Sequence, residues 1–112
     1  MEIEAALACL AALSQPTRLE AFRLLVRHEP KGLPAGEVAR ALGVPQNTLS
    51  AHLNVLSQAR LALSVRSGRS IVYRANLSQL NALTRFLVED CCGGGACAGA
   101  ESDSLLTCEP RL

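Results

Sequence analysis

A chain of 112 residues with 49% hydrophobic content has material for one domain with a small core, and none for a second. Aromatic residues make up only 3% and Trp is absent, so the core must be Leu, Val and Ala, and a base-stacking platform for single-stranded nucleic acid is disfavoured. The net charge of +1 conceals an asymmetry: between Val38 and Val88 stand six arginines and no acidic residue, so the middle of the chain is basic and dimerisation would double that field.

The opening Met-Glu-Ile-Glu is acidic and no apolar run approaches a membrane span. Neither a signal peptide nor a transmembrane helix is expected, and the expected location is cytoplasmic. Ile3, Leu7, Leu10 and Leu13 form one helical stripe, predicting an amphipathic helix over residues 2–13. Cys9 falls off that stripe and reads as a small apolar filler. Ser14-Gln-Pro-Thr17 punctuates the chain, with Pro16 suited to a first helical turn. Leu19, Phe22, Leu25 and Val26 then give a core helix to about His28, a residue placed toward the helix dipole and lacking a partner at ligand spacing. Pro30, Gly32 and Pro34 form a loop. Ala35 to Leu42 is a short helix with Val38, Ala39 and Leu42 inward, and Gly43 supplies a tight turn.

The rest of the chain is organised around the stretch Val44 to Leu61. Leu49, Leu53 and Leu56 recur at i, i+4 and i+7 and bury one stripe. The opposite face carries short uncharged groups, where a merely solvated helix would carry Lys and Glu. Amides pair with adenine, hydroxyls with several base edges and an alanine methyl with the thymine methyl, so this face suits the major groove of duplex DNA. The DNA-contacting set is Gln46, Asn47, Thr48, Ser50, Ala51 and Asn54. Short helix, glycine turn and polar-faced helix together make a helix-turn-helix.

Leu63 to Ala75 reads as two short strands about a turn centred on Ser67-Gly68, a hairpin wing. Arg66 and Arg69 flank its tip and Arg74 ends it, a spacing that brings guanidinium groups to phosphates or a narrow minor groove. Asn76-Leu-Ser-Gln79 resembles a capping box, followed by a helix apolar on more than one side through Leu77, Leu80, Leu83, Phe86, Leu87 and Val88. Excess apolar surface on the first and last helices predicts a two-fold dimer. The fold class is therefore mainly α with a small β-hairpin: a winged helix-turn-helix, homodimeric through its N- and C-terminal helices. Residues 1–90 form the DNA-binding and dimerisation domain. Residues 91–112 form a cysteine-containing segment, flexible beyond about Ala98.

Leu13-Ser-Gln-Pro-Thr-Arg-Leu19, Leu49-Ser-Ala-His-Leu-Asn-Val-Leu56 and Gly68-Arg-Ser-Ile-Val-Tyr-Arg74, in that order, resemble the arsenical-resistance (ArsR/SmtB) repressor family of winged-helix metal sensors. The resemblance covers about residues 3–90. It implies a homodimeric winged helix that holds operator DNA and releases it when a metal or metalloid binds; no organic cofactor or membrane partner is expected, and with neither a Cys-x-x-Cys at a helix start nor a base partnered with a nucleophile, no enzymatic activity such as thiol transfer is expected either. The chain departs from the family at two places. Arg60 replaces the usual Gly after the recognition helix, which predicts a non-glycine residue in a left-handed or extended conformation. Leu33 to Leu42 contains no cysteine, so the family's arsenic site on the first helix of the helix-turn-helix is absent.

Sensing is therefore expected at Cys91, Cys92 and Cys97, three thiols within seven residues bridged by Gly93-Gly-Gly-Ala96. Three soft thiolates suit As(III) or Sb(III) as inducer. Glu89-Asp90 and a helix C-terminus disfavour free thiolate, which speaks against redox catalysis. Tetrahedral zinc would need a fourth ligand such as Cys108, at a looser spacing. A thiol-redox repressor, or one responding to cadmium, lead or zinc, is the alternative on the same fold.

Overall fold

The computed structural model describes residues 1–92, and over them five helices pack around a small antiparallel sheet. The order is α1 (Ile3–Leu13), α2 (Pro16–Arg27), β1 (Leu33–Pro34), α3 (Ala35–Leu42), α4 (Gln46–Gln58), β2 (Ala62–Ser67), β3 (Ser70–Ala75) and α5 (Leu77–Cys92). This is the expected winged helix-turn-helix, with one addition. The sheet has three strands in the order β1-β3-β2, because Leu33 and Pro34 pair with Tyr73 and Val72 on the far side of β3. Two residues carry no alternation to read. Pro34 lacks an N–H to donate, which suits the edge it occupies.

Local chemistry sets the element ends. Gln15 caps α2 by accepting from the Arg18 amide at 2.8 Å, and Pro16 takes the first turn where its missing N–H costs nothing. Gly43 ends α3 at φ +71°, with Val44 N–H reaching back to Ala39 O at 3.1 Å. That closure needs the left-handed conformation glycine adopts freely. The end of α4 repeats the closure without glycine: Arg60 sits at φ +67° while Leu61 N–H donates to Leu56 O at 2.9 Å. The left-handed alternative expected for Arg60 is the one adopted. Leu61, fully buried, supplies the apolar contact that accompanies such a closure.

The core is made of small and branched aliphatic residues. Leu25, Val38, Leu49, Leu53, Leu56 and Leu61 are all completely buried, joined by Phe22 and by the alanines at helix contacts. Each buried leucine contributes about 1.5–3 kcal/mol relative to exposure. One expectation reverses on α1. Its core face is Ala6, Cys9 and Ala12, whereas Ile3, Leu7 and Leu10 are 63%, 58% and 41% exposed. Small residues let α1 approach α2, α4 and α5 closely, and the larger side chains are left pointing away. Leu19 on α2, expected inside, is likewise exposed, its place in the core taken by Ala21.

The capping box of α5 forms only by half. Asn76 Oδ1 accepts from the Gln79 amide at 3.4 Å, but the Gln79 side chain donates to Ala59 O at 3.0 Å instead of returning to Asn76. Asn76 Nδ2 in turn holds Arg60 O at 2.8 Å. The first turn of α5 thereby ties down the end of α4. Leu83 is buried under α5 and Leu80 and Phe86 pack on the core, while Leu77 and Leu87 are exposed. Helix α5 continues through Cys91 and Cys92. Cys97, Cys108 and the tail expected beyond Ala98 lie outside the described residues. No described helix is long and apolar enough to cross a membrane.

Candidate nucleic-acid interface

Helix α4 is held from beneath and presents its polar face outward. Leu49, Leu53 and Leu56 are at 0% exposure, while Gln46, Asn47, Thr48, Ser50, Ala51 and Asn54 are all exposed, as the sequence pattern requires. Asn47, Ala51 and Asn54 share one outer stripe by their spacing of four and three. Asn47 Oδ1 accepts from the Thr48 amide at 2.9 Å, which leaves the Asn47 amide group as its donor. Gln46 and Ser50 line a cleft of about 380 Å³ facing the wing, with Arg69, Ser70, Ile71 and Tyr73 on its other wall.

The wing is a two-residue hairpin. Ser67 pairs with Ser70, so the turn is Gly68-Arg69, one residue later than the expected centre. Gly68 at φ +64° is the only positive-φ residue of the turn, as a type II′ hairpin demands at its first position. Arg69 therefore sits in the tip itself. Arg66 lies directly across from Ile71 on the opposing strand. Both arginines are exposed and neither takes part in an ion pair among the described residues.

Arg74 behaves differently and corrects the expectation that it reaches DNA. Its Nη2 and Nε donate to Glu29 Oε1 and Oε2 at 2.7 and 3.2 Å, a two-pronged pair, and Glu29 Oε2 also accepts from the Ala75 amide at 3.1 Å. The pair ties the α2–β1 loop to β3. The Arg74 hydrogen bond, with its charge and the Ala75 amide, outweighs partial burial and holds the Glu29 carboxyl below the ordinary carboxylate range. The same bond raises Arg74, which is protonated in any case.

A residue the sequence reading passed over positions α4. Arg18 of α2 donates through Nε to Ala12 O at 2.7 Å and through Nη2 to Ala11 O at 3.5 Å, capping the carbonyl end of α1. Its Nη1 lies 3.4 Å from Nδ1 of His52 on α4. The Gln-Pro-Thr-Arg run thus caps one helix, starts another and touches the third. The available signal was the basic residue just after the C-terminal end of α1.

Among the described residues no group of three or more His, Cys, Asp or Glu side chains gathers at ion-binding distance. Cys9 is fully buried, its Sγ donating to Ala59 O and accepting from Gln79 Nε2, each at 3.5 Å. It is the packing residue expected. His28 donates from Nδ1 to Leu24 O at 3.0 Å at the end of α2. Cys91 and Cys92 stand at the end of the described part of α5, and Cys97 lies outside the described residues.

Comparison with known proteins places this geometry. A helix-turn-helix domain model matches residues 13–65. The HTH-type transcriptional regulator NmtR of Mycobacterium tuberculosis is 42% identical over 64 residues, which are 57% of this chain and 51% of NmtR, about half its length. The transcriptional repressor SdpR of Bacillus subtilis is 33% identical over 69 residues, 62% of this chain and 73% of that protein. An ArsR-like transcriptional regulator from a Rhodococcus species superposes with a TM-score of 0.71 at 32% identity, covering 97% of this chain and 92% of that one. The homodimeric winged helix-turn-helix domain of a possible ArsR-family regulator from Mycobacterium bovis shares the fold, with a TM-score of 0.63 at 24% identity over 79% of this chain and 82% of that one.

Proposed function

This chain belongs to the ArsR family of winged-helix transcriptional regulators, and on that premise we propose that it is a metalloid-responsive repressor. It binds operator DNA as a homodimer in the cytoplasm and is released when As(III) or Sb(III) engages Cys91, Cys92 and Cys97. The observation that carries the DNA-binding half is the exposed, uncharged face of α4 over three fully buried leucines, with the exposed cations Arg66 and Arg69 on the wing. Asn47 and Asn54 read base edges, Ala51 meets a thymine methyl, and Gln46, Thr48 and Ser50 complete the contact surface.

Ile3, Leu7 and Leu10 on α1, with Leu77 and Leu87 on α5, support the dimer, because α1 packs against α5 and their outward apolar side chains need cover. A two-fold pair sets two recognition helices about one helical turn apart, in successive major grooves of an imperfect palindrome. The inducer half rests on thiol chemistry. Three thiolates in seven residues match a soft, three-coordinate ion. Cys91 and Cys92 extend the same α5 whose Gln79 holds Ala59 at the end of α4. A ligand that shifts α5 therefore shifts the dimer face and the base of the recognition helix together. Such coupling is reciprocal and typically ~1–3 kcal/mol, so operator DNA weakens metalloid binding by the same factor.

The test is operator release by fluorescence anisotropy during an arsenite titration in reductant. Cys91→Ser, Cys92→Ser and Cys97→Ser are each expected to bind DNA normally and to lose the response, while Cys108→Ser and wild type respond. A full response from Cys97→Ser, or none from Cys108→Ser, shows the third ligand to be wrong. Release by peroxide without metalloid supports the redox alternative.

A further inference from the structure

The cleft between α4 and the wing has a chemistry that base reading does not use. Gln46, Ser50, Arg69, Ser70 and Tyr73, all of which carry side-chain donors and one of which is a permanent cation, line it together with Ile71 and the start of α3, and no carboxylate does. None of these side chains hydrogen-bonds to another described residue. Tyr73, the single tyrosine of the chain, is half-buried and held on the central strand by pairing with Leu33 on one side and Ser64 on the other. Strand alternation puts it on the same face as Ile71 and the buried Ala75, toward the helices. A tyrosine so placed normally finds a partner for its hydroxyl. Among the described residues no side chain or backbone group supplies one.

We propose that this cleft seats one strand of the DNA backbone and that the Tyr73 hydroxyl donates to a phosphate oxygen there. The inference rests on the reading of α4 and the wing as the DNA-binding surface. If α4 lies in the major groove and the Gly68-Arg69 tip enters the neighbouring minor groove, the phosphodiester strand separating the two grooves must pass between those elements. That passage is the cleft. A cation-bearing wall with hydroxyl and amide groups and no carboxylate fits an anion that carries no sequence information, so Tyr73 fixes register on the duplex and does not select bases.

Tyr73→Phe removes one oxygen and keeps the ring, so packing is preserved. The full chain is titrated onto two duplexes, one selected by the wild type from a random pool and one scrambled, over a range of salt. The expected result on both duplexes is a loss of about fivefold to tenfold per half-site, about 25-fold to 100-fold for the dimer, as for hydrogen bonds to a charged acceptor partly exposed to water. The slope against salt stays at the wild-type value, because no cation is lost, whereas Arg69→Ala flattens it by about two units, one from each subunit of the dimer. A scan with single neutral methylphosphonates then locates the partner: at one phosphate per half-site the wild type weakens and Tyr73→Phe weakens no further. Unchanged affinity in Tyr73→Phe overturns the proposal, as does a loss confined to the selected duplex or additivity at every methylphosphonate. If the wild type itself binds no duplex, the reading of the protein as DNA-binding has failed; if it binds and Tyr73→Phe matches it, only the cleft assignment has.

Discussion

Three left-handed residues in unlike surroundings allow the cost of backbone conformation to be separated from the cost of packing. Gly32 and Gly43 have nearly equal φ, +78° and +71°. A Cβ at Gly43 meets nothing within 4 Å, but at Gly32 it would fall 2.5 Å from Tyr73 O, 2.7 Å from Arg74 Cγ and 2.8 Å from Val72 Cγ1. The Tyr73 carbonyl belongs to the central strand, paired on both sides, and cannot step aside cheaply. Left-handed backbone costs an L-residue about 1–2 kcal/mol, partly offset by about 0.4–1 kcal/mol from a less free unfolded chain. Gly43→Ala should therefore cost about 0.5–1 kcal/mol, and Gly32→Ala should add an overpacking cost of about 1–3 kcal/mol. Arg60→Gly, at φ +67°, runs the first term backwards and should gain roughly what Gly43→Ala loses. At about 4–8 °C per kcal/mol, Gly32→Ala lowers Tm by about 10–25 °C, Gly43→Ala by about 3–6 °C, and Arg60→Gly raises it by a similar small amount. Thermal unfolding followed by circular dichroism reads all three, at one fixed protein concentration because dimer dissociation also moves Tm. Equal losses for the two glycine variants would refute the argument that contact with β3 dominates at Gly32.

Arg66→Ala and Arg69→Ala should weaken selected and scrambled duplexes alike and each flatten the salt slope by about two units, one per subunit, whereas Asn54→Ala should change base preference by ~1–3 kcal/mol at one position of each half-site. Binding titrations on single-base operator variants distinguish the two, and equal losses everywhere from Asn54→Ala would remove it from base reading. Leu7→Glu with Leu10→Glu should yield a folded monomer by analytical ultracentrifugation, since both side chains are outside the core; an intact dimer would place the interface elsewhere. Glu29, whose carboxyl is held low by Arg74, stabilises the fold fully above the ordinary carboxylate pKa of about 4.3 and loses that contribution as pH falls through its lower folded value. Glu29→Gln should be less stable than wild type at neutral pH and converge on it in acid, and melting curves that stay parallel down to pH 2 would contradict the pairing.

Much of this architecture is legible in the chain because it follows from local rules. The period of Leu49, Leu53 and Leu56 defines a buried stripe and, by subtraction, the exposed face of α4. Pro16 marks the start of α2 and Gly43 the end of α3 whatever surrounds them. The departure at Arg60 announces a left-handed residue because the helix must close there with or without glycine. What local rules leave open is which of two surfaces a helix buries and whom a charge meets. Both the Ile3-Leu7-Leu10 stripe and the Ala6-Cys9-Ala12 face of α1 have helical period, and hydrophobicity alone favours the leucines. Close approach to α2, α4 and α5 decides for the small residues, leaving the larger side chains exposed. Arg74 counts as a free cation in any composition until Glu29, 45 residues earlier, closes on it. Gln79 completes a capping box in sequence, yet turns to Ala59 O because that carbonyl lies within reach only in the folded domain. Leu33 and Pro34 become a strand for the same reason: β3 offers them an edge, and no pattern two residues long could have foretold it.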